Sequence, residues 1–231
     1  PEIRIAFRLA FSVACLGAVV SFALTAGIVD DLFARGGGVL GVLSTSLGVG
    51  SLLASAFISG RGGRMSRAVL ERRSILLYGA GLLVVASSSW LGVGMFGYLL
   101  MGGAHMLHGT TLSTSLQLRV DEEFRGRVMS VFLVSVLSGI PIGGLVFGIL
   151  GDLIGLRWVV LGAGLALCVD AVVTGRRGAF DLLDREVGPE VGPEVGPEVE
   201  PEVDQTGAST GGSAGPFADP TDSGDDRGSK R

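Results

Sequence analysis

Lysine is almost missing from this chain: its one copy is Lys230, a single residue from the end. A phosphate-cradling loop of the form G-x-x-x-x-G-K-[ST] is therefore excluded, and nucleotide hydrolysis would need a separate protein. Cysteine and histidine occur twice each, as Cys15, Cys168, His105 and His108. These give neither a disulfide framework nor metal-ligand spacing, so no metal and no other cofactor is expected. A membrane serine protease would want a G-x-S-G loop, and the nearest match, Val136-Leu137-Ser138-Gly139, lacks the first glycine. With no carboxylate-rich or Cys/His cluster to suggest another reaction, the chain reads as a non-enzyme, and no nucleic-acid partner is expected.

Charge is also absent over long stretches. Residues 9–29, 36–60, 74–118 and 128–151 carry none. A membrane-crossing helix needs about 20 apolar residues. The run 74–118 is too long for one crossing and fits two, with a turn near 89–92. A weaker run, 156–175, is interrupted by Asp170. The reading is an all-α, polytopic membrane protein of six spans, near 9–29, 38–60, 74–92, 95–117, 128–151 and 156–175. The first run has no small-residue cleavage pattern and is not a signal peptide.

The arginines test that count, because cytoplasmic loops are enriched in Arg and Lys. With six spans and the first residues inside, twelve arginines fall on inner segments: Arg4, Arg8, Arg61, Arg64, Arg67, Arg72, Arg73, Arg119, Arg125, Arg127, Arg176 and Arg177. Only Arg35 and Arg157 fall outside. The expectation is a multi-pass protein of the plasma membrane with both ends cytoplasmic.

The 39 glycines far exceed the average share of about 7%. "GIPIGGLVFGILGD", residues 139–152, concentrates them. In lipid, small residues four apart let helices approach closely, which singles out Gly139, Gly143, Gly144 and Gly148. Pro141 is expected to kink the fifth span. From 175 onward the chain is acidic and repeats VGPE, VGPE, VGPE, VEPE from Val187. Proline at every fourth residue and repelling glutamates predict a disordered cytoplasmic tail. Pro1 in place of a Met, so close to the first apolar run, predicts a further N-terminal part.

Three stretches together resemble the major facilitator superfamily, specifically its C-terminal six-helix half. "LQLRVDEEFRGRVMSVF" (116–132) is similar to the link between the tenth and eleventh helices of a bacterial drug and siderophore efflux subgroup, with Arg125, Gly126 and Arg127 in its R-G-R run. "GILGDLIGLRW" (148–158) resembles the G-x-L-x-D-x-x-G-x-R pattern ending the eleventh helix, with Asp152, Gly155 and Arg157. "ISGRGGRMSR" (58–67) sits where the family has a basic loop; Arg61, Gly63 and Arg64 fit, while Gly60 replaces its Asp. The resemblance implies a half-transporter that works with a six-helix N-terminal half. The two bundles would rock to expose a central cavity to each side in turn and export a small hydrophobic, drug- or siderophore-like molecule. Two other classes compete: a six-span permease subunit served by a separate ATPase, and a non-transporting membrane scaffold.

Polar residues inside the spans are the candidates for a substrate path. His105, His108, Thr111 and Ser115 advance by three or four along the fourth span and share a face. Ionisable residues at mid-membrane usually face a cavity or a bundle interior, and a histidine titrating near neutrality can carry a coupling proton. Ser21 and Thr25 are four apart on the first span, and Ser44, Ser51, Ser55 and Ser59 mark the second. Asp170 reads as a structural acid near the cytoplasmic interface.

Overall fold

The computed structural model describes residues 2–33, 38–60 and 65–184. The basic-loop residues Arg61, Gly63 and Arg64, and the VGPE repeats, lie outside the described residues. Within them the chain is helical: Glu2–Val13 (α1), a π-helical segment Ala14–Ala23, Thr25–Phe33 (α2), Gly38–Gly60 (α3), Arg67–Ser87 (α4), Leu91–Gln117 (α5), Glu122–Ile154 (α6) and Leu156–Arg176 (α7). A short 3-10 turn follows at Asp181–Leu183.

Among the described residues, four helical stretches are long and apolar enough to cross a membrane: Arg4–Ala23, Gly38–Gly60, Glu122–Ile154 and Leu156–Arg176. α4 and α5 miss that standard. α4 begins with Arg67, Glu71, Arg72 and Arg73 in its first two turns, and α5 is diluted by glycines, hydroxyls and two histidines. α6, with 33 residues, is about 50 Å long at 1.5 Å per residue, more than a bilayer core requires. Its first turns hold Arg125, Gly126 and Arg127, which were expected in a loop. They are helical because Asp121 sits at the N-cap and Glu122 and Glu123 occupy the first turn, where the helix dipole favours acids.

α4 lies at the centre of the packing, against α5 on one side and α7 on the other, while α5 also holds α3. The contacts are close because both partners contribute glycine. A Cβ on Gly81 would stand 2.9 Å from the carbonyl oxygen of Gly97, and one on Gly97 would stand 2.9 Å from that of Gly81. In lipid there is little hydrophobic drive between helices, so such intimate van der Waals contact supplies the cohesion. The interior is filled by Tyr78, Tyr98, Ile75, Leu82, Met101 and Leu112, all fully buried.

Opposite ends of the bundle are tied separately. At one end Arg119 Nη2 donates to the carbonyl of Leu182 at 2.7 Å, and Asp184 Oδ1 accepts from the Ala68 N–H at 3.2 Å, completing the cap of α4. At the other end Arg157 Nη2 donates to Ser89 Oγ at 2.5 Å, joining the start of α7 to the turn between α4 and α5. Gly155 alone separates α6 from α7, with φ at +89°, a conformation that disfavours any residue with a Cβ. Asp152 is exposed at the end of α6.

The glycine seam of α6 is narrower than expected. Gly139 and Gly143 press on the π-helical segment: a Cβ on Gly139 would stand 2.8 Å from Ala14 Cβ, and one on Gly143 would stand 2.7 Å from Cys15 O. Gly144 leaves an ordinary 3.7 Å to Ala23 Cβ. The correction falls on Gly148, which meets nothing within 4 Å. Five residues from Gly143, it has turned about 140° around the helix and faces away from the seam. Pro141 is on an exposed face, and the helix runs through it without interruption.

Candidate functional site: a buried acid–histidine pair beside a broken helix

The first helical column changes character twice. Hydrogen bonding shifts to the wider π pattern from Ala14 to Ala23 and returns to α at Thr25. At the junction, Leu24 N–H reaches back to Val19 O at 2.9 Å, and Thr25 Oγ1 donates to Ser21 O at 2.7 Å and Val20 O at 3.1 Å. The threonine hydroxyl thus serves carbonyls that the change of register loosens. Gly17 permits the neighbouring contact, since a Cβ there would stand 2.8 Å from the Tyr78 ring.

Two tyrosine hydroxyls meet this junction from other helices. Tyr78 of α4 lies 2.9 Å from Ser21 Oγ, and Tyr98 of α5 donates to Thr25 Oγ1 at 3.1 Å. They are the only tyrosines in the chain, and both are fully buried. His105 packs edge-on to Tyr78, with centroids 6.2 Å apart, and to Phe22 at 5.4 Å.

One turn along α5 lies a buried contact between two ionisable side chains. His108 Nδ1 is 2.7 Å from Glu71 Oε1. Glu71 is 0% exposed and His108 6%. Isolated charges are costly in such surroundings, and the pair holds together as a hydrogen-bonded unit whichever partner carries the proton. Glu71 Oε2 and His105 Nδ1 are buried without hydrogen-bond partners among the described residues. The cluster therefore joins a carboxylate and an imidazole by one short hydrogen bond, with the second carboxylate oxygen and a nitrogen of the His105 imidazole left unfilled beside it.

Five of the six expected path residues are inside the bundle. Ser21, Thr25, His108, Thr111 and Ser115 are all buried, and His105 is half-buried. The structure brings His105, Ser21 and Thr25 together through Tyr78 and Tyr98, and it joins His108 to Glu71. Ser115 donates to Thr111 O within α5. The serines of α3 are the more open ones: Ser44 and Ser59 are exposed, and with Gly41, Thr45 and Gly48 they form a stripe of small and hydroxyl residues on its open face. Part of that stripe, with Val42, Val49, Met95 and Leu99, lines a groove of about 480 Å³.

Asp170 pairs with the first helix. Arg8 Nη1 donates to Asp170 Oδ1 at 2.7 Å, and Arg8 Nη2 to Thr174 Oγ1 at 2.5 Å. The sequence reading missed Glu71, Tyr78 and Tyr98. Glu71 stands among Arg67, Arg72 and Arg73 and reads as part of a basic loop; its one distinguishing mark is being the lone acid between residues 32 and 120.

A family profile described as "Transmembrane secretion effector" matches residues 2–205. No curated protein matches the sequence.

Proposed function

The chain belongs to the transmembrane secretion effector family of major-facilitator membrane transporters, and from that membership we propose that it supplies one six-helix bundle of a proton-driven exporter. The exported molecule in this reading is small and hydrophobic, of drug or siderophore type. The buried Glu71–His108 pair carries the proposal. A scaffold gains nothing from an ionisable pair in an apolar interior, whereas a transporter that must bind and release a proton needs one.

The arrangement in the membrane follows from the same reading. All six helical columns cross, α4 and α5 included, with both ends of the bundle's chain on the cytoplasmic side. The arginine distribution supports this, as do the ties that bring residues 68, 119 and 182–184 to one end and residues 89 and 157 to the other. A second six-helix bundle covers the open faces of α3 and α6, the least buried of the apolar helices. The substrate moves along the small, hydroxyl-bearing stripe of α3. Ser21, Thr25, His105 and His108 lie behind it, in the interior, where they respond to protonation rather than touch cargo. Gly139 and Gly143 keep α6 against the π-helical segment.

The test is dye accumulation in everted membrane vesicles containing the full-length protein, with ethidium as probe and an imposed pH gradient. Glu71→Gln keeps the size and one hydrogen bond to His108 but cannot ionise. Accumulation is expected to fall more than tenfold, with the folded yield unchanged. Wild-type accumulation by Glu71→Gln would remove the proton from the proposal.

A further inference from the structure

Hydroxyl side chains in this bundle generally turn back onto their own helix. Thr45 donates to Gly41 O, Ser113 to Gly109 O, Ser115 to Thr111 O and Ser130 to Gly126 O. This is the usual way to satisfy a hydroxyl where water is scarce. Three threonines of α5 depart from it. The hydroxyls of Thr110, Thr111 and Thr114 have no hydrogen-bond partner among the described residues, although Thr111 is only 6% exposed.

All three line one hollow of about 270 Å³ at the Arg67 end of α4. Arg67 lines it too, half-buried and without a carboxylate partner among the described residues. The remaining wall is apolar, made by Ile58, Met65 and Leu70. The nearest acid on α4, Glu71, is turned inward to His108 and does not line the hollow. A guanidinium and three free hydroxyls therefore converge on one space, with no carboxylate among the described residues of its lining. Such a set of donors fits an oxyanion.

Met65 and Leu70 also line a second groove of about 490 Å³, continued by Phe57, Leu76, Leu77 and Leu107. Arg73 is its single charged wall residue among the described residues. The polar hollow and the apolar groove thus flank the same two side chains.

We propose that this is a binding site for an oxyanion-headed amphiphile. Its phosphate or carboxylate sits on Arg67 and the hydroxyls of Thr110, Thr111 and Thr114, and its alkyl chain passes over Met65 and Leu70 into the groove. The site is separate from the open stripe of α3, and it stands whatever molecule the protein exports. A phospholipid from the surrounding leaflet and a free anion share this chemistry, and the experiment separates them.

The experiment follows thermal unfolding of the detergent-purified full-length chain with added dioleoyl-phosphatidylglycerol, dioleoyl-phosphatidylcholine, laurate or inorganic phosphate. A ligand that binds only the folded state raises the midpoint by an amount that grows with the logarithm of its concentration once that exceeds the dissociation constant. A shift with phosphatidylglycerol but not phosphatidylcholine supports a lipid occupant; a shift with laurate or phosphate supports a free anion. Arg67→Gln should raise the concentration needed for a given shift roughly tenfold, the loss of one charge-assisted contact. The isosteric pair Thr110→Val and Thr114→Val, which removes no charge, should raise it several-fold. Arg125→Gln, an exposed charge on α6, should leave it unchanged. The proposal fails if none of the four additives shifts the midpoint, or if Arg125→Gln weakens the response as much as Arg67→Gln does.

Discussion

Replacing Gly143 by alanine and, separately, Gly148 by alanine applies one chemical change at two points of the same helix. Both variants gain helix propensity, about 1 kcal/mol each, because alanine restricts the unfolded chain more than glycine does. That gain cancels in the comparison. What remains is the space each new methyl meets. At Gly148 it meets nothing within 4 Å. At Gly143 it stands 2.7 Å from Cys15 O and is blocked further by the Val19 side chain. A side chain can rotate away, but a carbonyl of the π-helical segment moves only with its backbone. Overpacking of this kind costs about 1–3 kcal/mol, and a backbone obstacle places Gly143 near the upper end. Gly143→Ala should therefore be less stable than Gly148→Ala by about 2–3 kcal/mol, roughly 30- to 150-fold in the folded-to-unfolded ratio. The assay is unfolding of the purified full-length chain by titration with sodium dodecyl sulfate, followed by the fluorescence of Trp90 and Trp158. Equal midpoints for the two variants, or a lower midpoint for Gly148→Ala, would refute the packing of α6 on the π-helical segment.

Other outcomes follow from the same geometry. A reporter active only in the cytoplasm should be active when fused after Arg67 or Gly126 and silent after Gly155, and the reverse at any of these points would overturn the proposed crossings. A double-mutant cycle with Arg8→Gln and Asp170→Asn, read by the same detergent titration, should give a coupling of about 0.5–1 kcal/mol, since Arg8 is half exposed and solvent screens the pair; zero coupling would reduce the contact to a neighbourly one. Tyr78→Phe should cost about 1 kcal/mol through the lost contact with Ser21 Oγ, and a neutral result would show that the hydroxyl contributes nothing to the junction.

How far the sequence discloses this structure differs from element to element. α3 is legible to its ends because Gly38–Gly60 is bounded by arginine-bearing segments and holds no charge. The start of α4 is not, because arginine followed by apolar residues reads equally as a loop before a helix or as the helix's own first turns. Ser66 decides it: its Oγ accepts from Val69 N–H at 3.3 Å and starts the helix at Arg67. That earlier start carries Glu71 into the interior. The faces of α6 are illegible for a different reason. Gly139/Gly143 and Gly144/Gly148 have the same spacing, and only the neighbouring helix distinguishes faces about 140° apart. The π-helical segment leaves no local signal, and the side chains that meet its end, Tyr78 and Tyr98, come from α4 and α5. The polar face of α5 is visible in the sequence as a period of three and four, but what each hydroxyl touches is a property of packing.

The most direct measurement of the central claim is proton movement driven by substrate. Liposomes containing the full-length protein and an internal pH-sensitive dye receive a pulse of ethidium with no imposed gradient. The account predicts that ethidium entry drives protons the opposite way with wild-type protein, and that Glu71→Gln moves no protons at all. Proton movement by Glu71→Gln at the wild-type rate would show that the Glu71–His108 pair is structural and that coupling resides elsewhere.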